Sequence, residues 1–483
     1  MTRHSPALPH ARHLIDGQWR DSATRTPSVN PATGRTLGTF ADGGAPEARE
    51  AVAAAHRAFT STGWPRDRRL RARALNELAD QLAARRARFI ELLARENGKT
   101  LTQAAFELDL AIPKLRYYAA LALTDHGRAL EAGPGLYAMT LREPAGVAGI
   151  ITPWNSPVVL AVRALAPALA AGCTAVVKMP GQVGLTAGLF SETVASAASL
   201  PPGVVNTFTE SGNEGAPWLV ASPDVAAISY TGSTEVGRTI MERAAPTLKS
   251  LSLELGGKTP MIVFGDADLD AAVPVLTRAI TTFAGQFCMA GSRVLAQRSI
   301  AGELRERLVN ELSAVKLGPG DDPATEMGPL IDAAAAQRVD EAVEEAVAAS
   351  AEPLLRGERA GAFLGPSLLE VTEPTAAIVQ REIFGPVATF ELFEDEPEAI
   401  ASANATPFGL AAAIWSRDVD RPLRVARELT AGTVWTNTWA VVLDESEEGG
   451  YKQSGLGRLN GPQALHHFQE TKHLIHPVDG LPR

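Results

Sequence analysis

Cys288 is the side chain of this sequence whose type and surroundings best fit nucleophilic chemistry. The chain has 483 residues and two cysteines, and this one lies in residues 281–293 among glycines, other small residues and polar side chains. A nucleophilic cysteine needs room for a substrate and nearby amides that stabilise negative charge. A lone cysteine is more often part of an apolar core, so other residues must support this prediction.

The side-chain amide of Asn155 is a second group suited to chemistry. It lies between Pro153 and Pro157, in a loop that follows a predicted strand and precedes a predicted helix. Two prolines restrict the loop, and a fixed amide N–H there can stabilise an oxyanion that develops on a substrate. The alternative is an asparagine that only shapes a turn.

Two further loops have residues that suit cofactor binding and acid–base catalysis. Residues 228–237 are typical of a strand, a turn at Thr231-Gly-Ser233 and the start of a helix. Such a junction attracts a pyrophosphate through backbone amides and the helix dipole. Glu254 lies in an apolar run before two glycines, where burial should raise its pKa and make it a general base near neutral pH. A capped helix and a salt-bridged core glutamate are the alternatives.

These loops are connected by alternating short apolar runs and helical patterns. Strands are predicted at residues 146–151, 175–177, 204–208, 226–230 and 261–264, and further apolar runs lie near 376–379 and 411–415. Helices are predicted at 45–59, 67–96, 184–196, 235–245, around 302–315 and around 332–349. Strands separated by helices of this length indicate parallel βαβ units. Before them, residues 13–20 predict a hairpin with an Asp-Gly turn, and residues 1–12 are expected to be disordered.

The composition excludes several classes of protein. A net charge of −10 provides no basic surface for nucleic acid. Two cysteines exclude a disulfide framework and fit a reducing compartment. Without a secretory signal or an apolar run of about 18 residues, a cytoplasmic protein with no membrane partner is expected. The nine histidines are scattered, so no metal site is predicted.

Six motifs occur in an order and spacing that resembles the aldehyde dehydrogenase superfamily. They are Pro153-Trp-Asn155, Thr231-Gly-Ser233, Glu254-Leu-Gly-Gly-Lys258, Gly285-Gln-Phe-Cys288, Glu382-Ile-Phe-Gly-Pro386 and Gly450-Tyr-Lys-Gln-Ser-Gly455. The resemblance covers nearly the whole chain, from residue 15 to residue 472. It implies oxidation of an aldehyde to its carboxylic acid with NAD or NADP.

The resemblance also implies a role for each catalytic residue. Cys288 would attack the aldehyde carbonyl, and Asn155 with the Cys288 backbone N–H would hold the thiohemiacetal oxygen. Hydride transfer to the nicotinamide would leave a thioester, and Glu254 would activate the water that releases the acid. A CoA-acylating relative is one alternative, disfavoured because thioester transfer to CoA needs no base at Glu254. A non-enzymatic structural protein on the same scaffold is the other, and it would be expected to have lost one of these residues.

For the cofactor, the resemblance implies ten residues. They are Trp154, Lys178, Gly181, Gly212, Thr231, Gly232, Ser233, Val236, Glu382 and Phe384, with Lys178 on the adenosine ribose, Ser233 on the pyrophosphate, and Glu382 with Phe384 beside the nicotinamide. Gly181 departs from a position that often carries a glutamate, which binds the ribose 2′-hydroxyl and repels a 2′-phosphate. One hypothesis is therefore that NADP is accepted, with NAD or in its place. The alternative is that another loop residue supplies the missing contact.

The sequence leaves the aldehyde open among aromatic, semialdehyde and amino-aldehyde classes. The predicted pocket residues are Ser156, Arg163, Thr282 and Phe287. Arg163 matches an arginine that binds the substrate carboxylate in semialdehyde dehydrogenases, but similar arginines occur in relatives resembling benzaldehyde and vanillin dehydrogenases. Thr282 stands where the semialdehyde pattern has a second arginine. Residues 444–448 carry four carboxylates, which would favour amino-aldehydes near the channel mouth, unless they form a solvated or subunit-contact loop.

The resemblance implies an α/β fold in three parts. A Rossmann-like dinucleotide-binding domain is expected from residues 1–121 and 145–256, and a second α/β catalytic domain from 257–447. Residues 122–144 and 448–483 would form a small β oligomerisation flap. A strand expected at 470–477 could extend a neighbouring subunit's sheet, so a homodimer or homotetramer is predicted.

Overall fold

An eight-stranded sheet forms one half of the computed structural model, which describes residues 8–478. Its strands lie in the order Gly455–Leu456, Ser250–Glu254, Val225–Thr231, Val147–Ile151, Thr174–Pro180, Val205–Glu210, His13–Ile15 and Gln18–Arg20. From Ser250–Glu254 to Val205–Glu210 all neighbours run parallel. The central strands are almost entirely buried, as parallel strands are when helices cover both faces of a sheet.

A seven-stranded sheet forms the other half. Its order is Glu352–Leu355, Ser367–Glu370, Val387–Phe393, Arg293–Gln297, Pro260–Val263, Ala411–Trp415 and Thr433–Thr436. Glu352–Leu355 is antiparallel to its neighbour, and the remaining pairs are parallel. The strand Pro260–Val263 and the residue Glu254 are only six positions apart along the chain, so the two sheets meet close to that carboxyl group.

Three smaller sheets complete the β structure. The strand Leu136–Pro144 lies between Arg128–Gly133 and Gln469–Pro477 and is antiparallel to both. The strand Thr36–Asp42 lies between His10–Ala11 and Thr24–Val29. Arg359–Ala360 and Phe363–Leu364 form a hairpin. The C-terminal strand prediction is thus confirmed, and its partner here is a strand of the same chain.

Helices cover the sheets. They are Ala45–Ser61, Arg68–Ala84, Arg86–Leu92, Leu101–Thr124, Pro157–Ala171, Gly184–Ala195, Gly215–Ala221, Thr234–Ala244, Leu269–Thr281, Ala301–Ser313, Ala333–Ala348, Ala377–Gln380, Glu396–Asn404, Arg421–Glu428 and Gln463–His466. Within residues 8–478, none of them is both long enough and apolar enough to cross a membrane.

The helix Pro157–Ala171 is the element that matters most for the site. Proline at its first position fits the helix start, where no intrahelical N–H bond is lost. Gly172 ends it with a φ of 106°, and a Cβ there would lie 2.6 Å from Arg71. Apart from Val159 and Leu160, every residue of the helix is buried. Its one charged residue, Arg163, therefore lies inside the molecule.

Most of the predicted elements are confirmed, with differences at short segments. The hairpin of residues 13–20 and the strands of the first sheet occur as expected. The predicted helix 67–96 is interrupted between Ala84 and Arg86. Disorder was wrong for residues 10–11, which form a strand against Thr36–Asp42, and residues 1–7 lie outside the described part. The apolar run at 376–379 forms one turn of helix.

Candidate active site

Cys288 follows a tight turn between the helix Leu269–Thr281 and the strand Arg293–Gln297. Phe283 and Ala284 have left-handed backbone angles, with φ of 53° and 52°, which cost energy in residues with a Cβ. Bonds to the neighbouring loop hold this turn: the Asn155 Nδ2 donates to the Gln286 carbonyl at 3.0 Å. One hydrogen bond therefore ties the Asn155 amide to the backbone two residues before Cys288.

A cavity opens beside these two residues. Its walls are mainly apolar, and they are built by Phe106, Leu110, Val159, Leu160, Phe283, Phe287, Met289, Ala440 and Val442. The polar lining consists of Asn155, Ser156, Cys288, Glu107, Lys114, Arg163 and Glu448. Phe287 packs edge-to-face against Phe283 and against Trp439, with ring centroids 5.6 and 5.8 Å apart. The cavity therefore offers an aromatic and aliphatic surface next to a thiol.

The charged groups of the cavity wall are paired with opposite charges. Arg163 Nη1 donates to Glu448 Oε1 at 2.7 Å, and Lys114 Nζ donates to Asp444 Oδ1 at 2.6 Å. Glu107 accepts from the buried Lys99, and Lys99 Nζ also donates to Ser156 Oγ at 3.0 Å. The acidic loop thus supplies the carboxylates of two of these pairs, and its effect on amino-aldehydes stays a prediction.

Glu254 lies at the end of the strand Ser250–Glu254 and is 3% exposed. Burial raises the pKa of Glu254 to about 7; Arg163 opposes this shift and Glu448 adds to it. The carboxyl group therefore changes its charge near neutral pH, as a general base must.

Cys288 responds to the same surroundings. Burial raises the pKa of the Cys288 thiol to about 12, Arg163 lowers it, and the carboxylates of Glu254, Glu382 and Glu448 raise it. The thiol is therefore protonated at neutral pH in this state. Attack on a carbonyl requires a proton acceptor or a further positive charge.

Glu382 approaches the thiol segment through two glycines. The Gly257 N–H donates to Glu382 Oε1 at 3.1 Å. A Cβ at Gly256 would lie 2.5 Å from Glu382 Oε2, and one at Gly257 would lie 2.3 Å from the Cys288 carbonyl. Only glycine permits this contact, and burial raises the pKa of Glu382 to about 7.

Trp154 and Phe384 form the next part of the predicted cofactor site. Their rings pack edge-to-face with centroids 5.6 Å apart. Phe384 has a φ of 58°, a left-handed conformation that is rare for an aromatic residue. The Trp154 carbonyl accepts a hydrogen bond from Asn97 Nδ2 at 2.6 Å.

The predicted pyrophosphate site begins at the turn after the strand Val225–Thr231. Ser233 caps the helix Thr234–Ala244 by accepting from the Val236 N–H at 3.4 Å, and the Val236 side chain is 45% exposed. Gly232 N donates to the Glu254 carbonyl at 2.9 Å. A Cβ at Gly232 would lie 2.1 Å from the Tyr230 hydroxyl oxygen, so the turn needs glycine.

The predicted ribose site lies at the end of the strand Thr174–Pro180. Burial lowers the pKa of Lys178, while the negative charges of Glu210 and Asp42 raise it. A Cβ at Gly181 would lie 2.1 Å from Ser211 Oγ, and a Cβ at Gly212 would have no atom within 4 Å. The Ser211 N–H donates to Asp42 Oδ1 at 2.8 Å. Ser211 therefore fills the space that a side chain at position 181 would need.

Of the predicted pocket residues, Ser156, Arg163 and Phe287 line the cavity, whereas Thr282 is not among its lining residues. Sequence reasoning missed Glu107, Lys114 and Glu448 as lining residues. The acidic stretch 444–448 was the only signal for Glu448, and its local pattern did not reveal which carboxylates point inward. Among residues 8–478, no cluster of three or more His, Cys, Asp or Glu side chains could hold a metal ion.

Comparisons with known proteins cover nearly the whole chain. A sequence profile described as the aldehyde dehydrogenase family matches residues 19–474. The 2-aminomuconic semialdehyde dehydrogenase of Danio rerio is 37% identical over 95% of this chain and 96% of its own length. The betaine aldehyde dehydrogenase of Bacillus subtilis is also 37% identical, over 95% of this chain and 96% of its own length.

Solved structures agree in fold. A crystal structure of an NAD-dependent aldehyde dehydrogenase from Sinorhizobium meliloti superposes with a TM-score of 0.96 at 36% identity, covering 99% of this chain and 97% of its own. A betaine aldehyde dehydrogenase from Staphylococcus aureus in complex with NAD⁺ gives a TM-score of 0.94 at 35% identity, covering 98% of this chain and 96% of its own.

Proposed function

The chain belongs to the aldehyde dehydrogenase family, and we propose how its own residues carry out aldehyde oxidation. The enzyme oxidises an aldehyde to a carboxylic acid with NAD or NADP. One observation carries the assignment of residues: the Cys288 thiol and the Asn155 amide line one cavity, and the Glu254 carboxyl group acts on the pKa of that thiol.

The predicted cofactor residues fit a dinucleotide. We assign the pyrophosphate to the N-terminal amides of the helix Thr234–Ala244 and to Ser233, which caps this helix. The space next to Gly212 is open. We assign Lys178 to the adenosine ribose and Trp154, Glu382 and Phe384 to the nicotinamide side. When bound, the nicotinamide accepts the hydride that leaves the substrate carbon.

Cys288 is the nucleophile in this proposal. Its sulfur attacks the aldehyde carbon, and its proton must leave because the thiol is protonated at neutral pH. Arg163 favours the thiolate because its positive charge lowers the pKa of Cys288. The proton passes to solvent water, which leaves Glu254 available as the base of the later hydrolysis.

Asn155 stabilises the oxygen of the resulting thiohemiacetal. One N–H of its amide donates to the Gln286 carbonyl, which fixes the orientation of the group. The second N–H and the Cys288 backbone N–H bind the developing oxyanion. Loss of hydride from this species leaves a thioester on Cys288.

Glu254 then completes the reaction. In its ionised form it accepts a proton from water, and the water oxygen attacks the thioester carbon and releases the acid from Cys288. Transfer to CoA would need no such base. The buried carboxyl group with a pKa of about 7 therefore favours hydrolytic release over the CoA-acylating alternative.

For the substrate, we propose an uncharged aldehyde, with aromatic aldehydes as the best-fitting class. The cavity is lined by apolar and aromatic side chains. Its cations already have carboxylate partners, in the pairs Lys114–Asp444 and Arg163–Glu448. A charged end of a substrate would lose its water without gaining a free counter-ion, which is costly.

A panel of three aldehydes tests this substrate class. Benzaldehyde, succinate semialdehyde and 3-aminopropanal represent the uncharged, anionic and cationic possibilities, and formation of NADH or NADPH reports turnover. We expect kcat/KM for benzaldehyde to exceed both others by about tenfold or more, because neither charged aldehyde finds an unpaired partner. A preference for either charged aldehyde would contradict the proposal.

For the cofactor, we propose that NAD is preferred over NADP. Gly181 alone would admit a 2′-phosphate, but Ser211 fills the space next to it. The carboxylates of Asp42 and Glu210 act on Lys178 and would repel a phosphate nearby. Asp42 is the proposed replacement for the carboxylate that position 181 lacks.

The remaining proposals concern assembly and location. The strand Gln469–Pro477 lies at an edge of its sheet and is exposed along most of its length. An edge strand can pair with another chain, which supports a homodimer or homotetramer built through residues 122–144 and 448–483. The domain bounds 1–121 with 145–256, and 257–447, stay predictions, as does a cytoplasmic location.

A further inference from the structure

Arg163 is a buried charge in an otherwise apolar helix, and it faces the cavity that contains Cys288. Arg163 is 6% exposed, and it lines the cavity wall together with Phe287 and Leu160. A guanidinium group in such a place is costly unless its charge is compensated. Its surroundings must therefore explain why it is there.

The guanidinium group of Arg163 does not use all of its hydrogen-bond donors. Nη1 donates to Glu448 Oε1 at 2.7 Å and Nη2 donates to Thr231 Oγ1 at 3.2 Å. Nε is buried and has no partner within the described part of the chain. A guanidinium group has five N–H donors, so Arg163 retains donors for another acceptor.

A second buried ion pair shows what a purely structural arrangement looks like in this protein. Arg293 binds Glu391 through both carboxylate oxygens, at 2.9 and 2.5 Å. It also donates to the Ser402 carbonyl at 2.8 Å. The Arg163–Glu448 pair is a single-oxygen contact beside a cavity, so its partner is easier to exchange.

We propose that Glu448 determines substrate charge by acting as an internal counter-ion that occupies Arg163. With Glu448 ionised, its negative charge neutralises that of Arg163. Aldehydes with a carboxylate then find no free cation in the cavity and are excluded. Without the Glu448 charge, Arg163 binds a substrate carboxylate. This inference rests on the proposed function, because it takes Cys288 as the reacting group of this cavity.

The substitution Glu448→Gln isolates the charge from the shape. Glutamine keeps the length and an amide oxygen that can accept from Arg163 Nη1, and it removes the negative charge. Glu447→Gln is the matched control: Glu447 belongs to the same acidic loop and accepts from the Gln463 N–H at 3.2 Å. Glu447 is not among the residues that line the cavity.

The assay compares 4-carboxybenzaldehyde with its uncharged methyl ester, which share ring and aldehyde. The measured quantity is the ratio of kcat/KM for the acid to that for the ester. In Glu448→Gln this ratio should rise by about tenfold or more over the wild type, because a free buried cation now meets the carboxylate. In Glu447→Gln it should stay unchanged.

The double variant Arg163→Leu/Glu448→Leu keeps the test decisive if Glu448→Gln fails to fold, since an apolar replacement of a buried pair is often tolerated. The pair is proposed to carry no net charge, so the double variant should keep the wild-type ratio; a change beyond about tenfold would overturn the inference. An unchanged ratio in folded Glu448→Gln would also overturn it. If the wild type oxidises neither compound, the proposed function fails first, and the inference with it.

Discussion

At the scale of single residues, burial acts in the same direction on the nucleophile Cys288 and on the base Glu254. It raises the pKa of Cys288 to about 12 and that of Glu254 to about 7. Both groups are therefore neutral over a wider pH range than in water. Arg163 opposes this for both residues, so the Arg163–Glu448 pair also influences how easily the site becomes negatively charged.

The pH dependence of steady turnover follows from Glu254. The ionised carboxylate is the active form in thioester hydrolysis, and its pKa is raised to about 7. Turnover should therefore fall as the pH decreases through about 7 and level off above it. A pH profile of kcat with a saturating uncharged aldehyde measures this.

The pH profile must distinguish Glu254 from Glu382, because burial raises the pKa of Glu382 to about 7 as well. We expect Glu382→Gln to keep the pH dependence even if it lowers the rate, because Glu382 is assigned to the nicotinamide side. A kcat that does not change across pH 7 in the wild type would contradict the role of Glu254.

At the scale of elements, three chain segments bring the reacting groups together. The helix Pro157–Ala171 begins just after Asn155, the strand Ser250–Glu254 ends on Glu254, and the turn at residues 282–285 presents Cys288. Glycine at position 257 permits the Cys288 carbonyl to approach. Each segment has a proline or glycine in it or close by where the backbone requires it, which is why the motifs are recognisable in the sequence.

Cofactor preference is also decided at this scale, where the strand Thr36–Asp42 contacts the strand Val205–Glu210, which pairs with the strand Thr174–Pro180. The wild type should prefer NAD by about tenfold or more in kcat/KM, because carboxylates near Lys178 repel a 2′-phosphate. Asp42→Asn should reduce this preference by about tenfold, since it removes one charge and keeps an acceptor for the Ser211 N–H.

Glu50→Gln is the matched control for this experiment. Glu50 is an exposed carboxylate paired with Arg20, and it has no part in the proposed ribose site. Its variant should keep the wild-type ratio of the two cofactors. Equal use of NAD and NADP by the wild type would instead support the hypothesis that glycine at position 181 allows NADP to bind.

At the scale of the whole molecule, the sequence predicted the parallel sheet and the catalytic motifs because both are local patterns. Short apolar runs between helical patterns marked the strands, and the glycine turns marked the loops. The four-residue apolar run at 376–379 forms a turn of helix, and periodicity cannot separate a buried strand from a turn of helix at that length.

The ion pairs of the cavity could not be predicted from the sequence, because the paired residues are far apart along the chain. Lys114 and Asp444 are 330 positions apart in the sequence, and Arg163 and Glu448 are 285 positions apart. No local pattern pairs residues over such separations. The sequence analysis therefore considered Arg163 as a free carboxylate-binding group. In the structure its guanidinium group is paired with the Glu448 carboxylate.

The most direct test of the account is the pre-steady-state formation of NADH by Glu254→Gln with an uncharged aromatic aldehyde. Hydride transfer precedes hydrolysis, so we expect a rapid burst approaching one NADH per chain. The following steady rate should fall by about a hundredfold or more, within the range for loss of a general base. Cys288→Ser, as the control, should give no such burst. A Glu254→Gln enzyme with wild-type steady turnover, or with no burst at all, would contradict the proposed thioester mechanism.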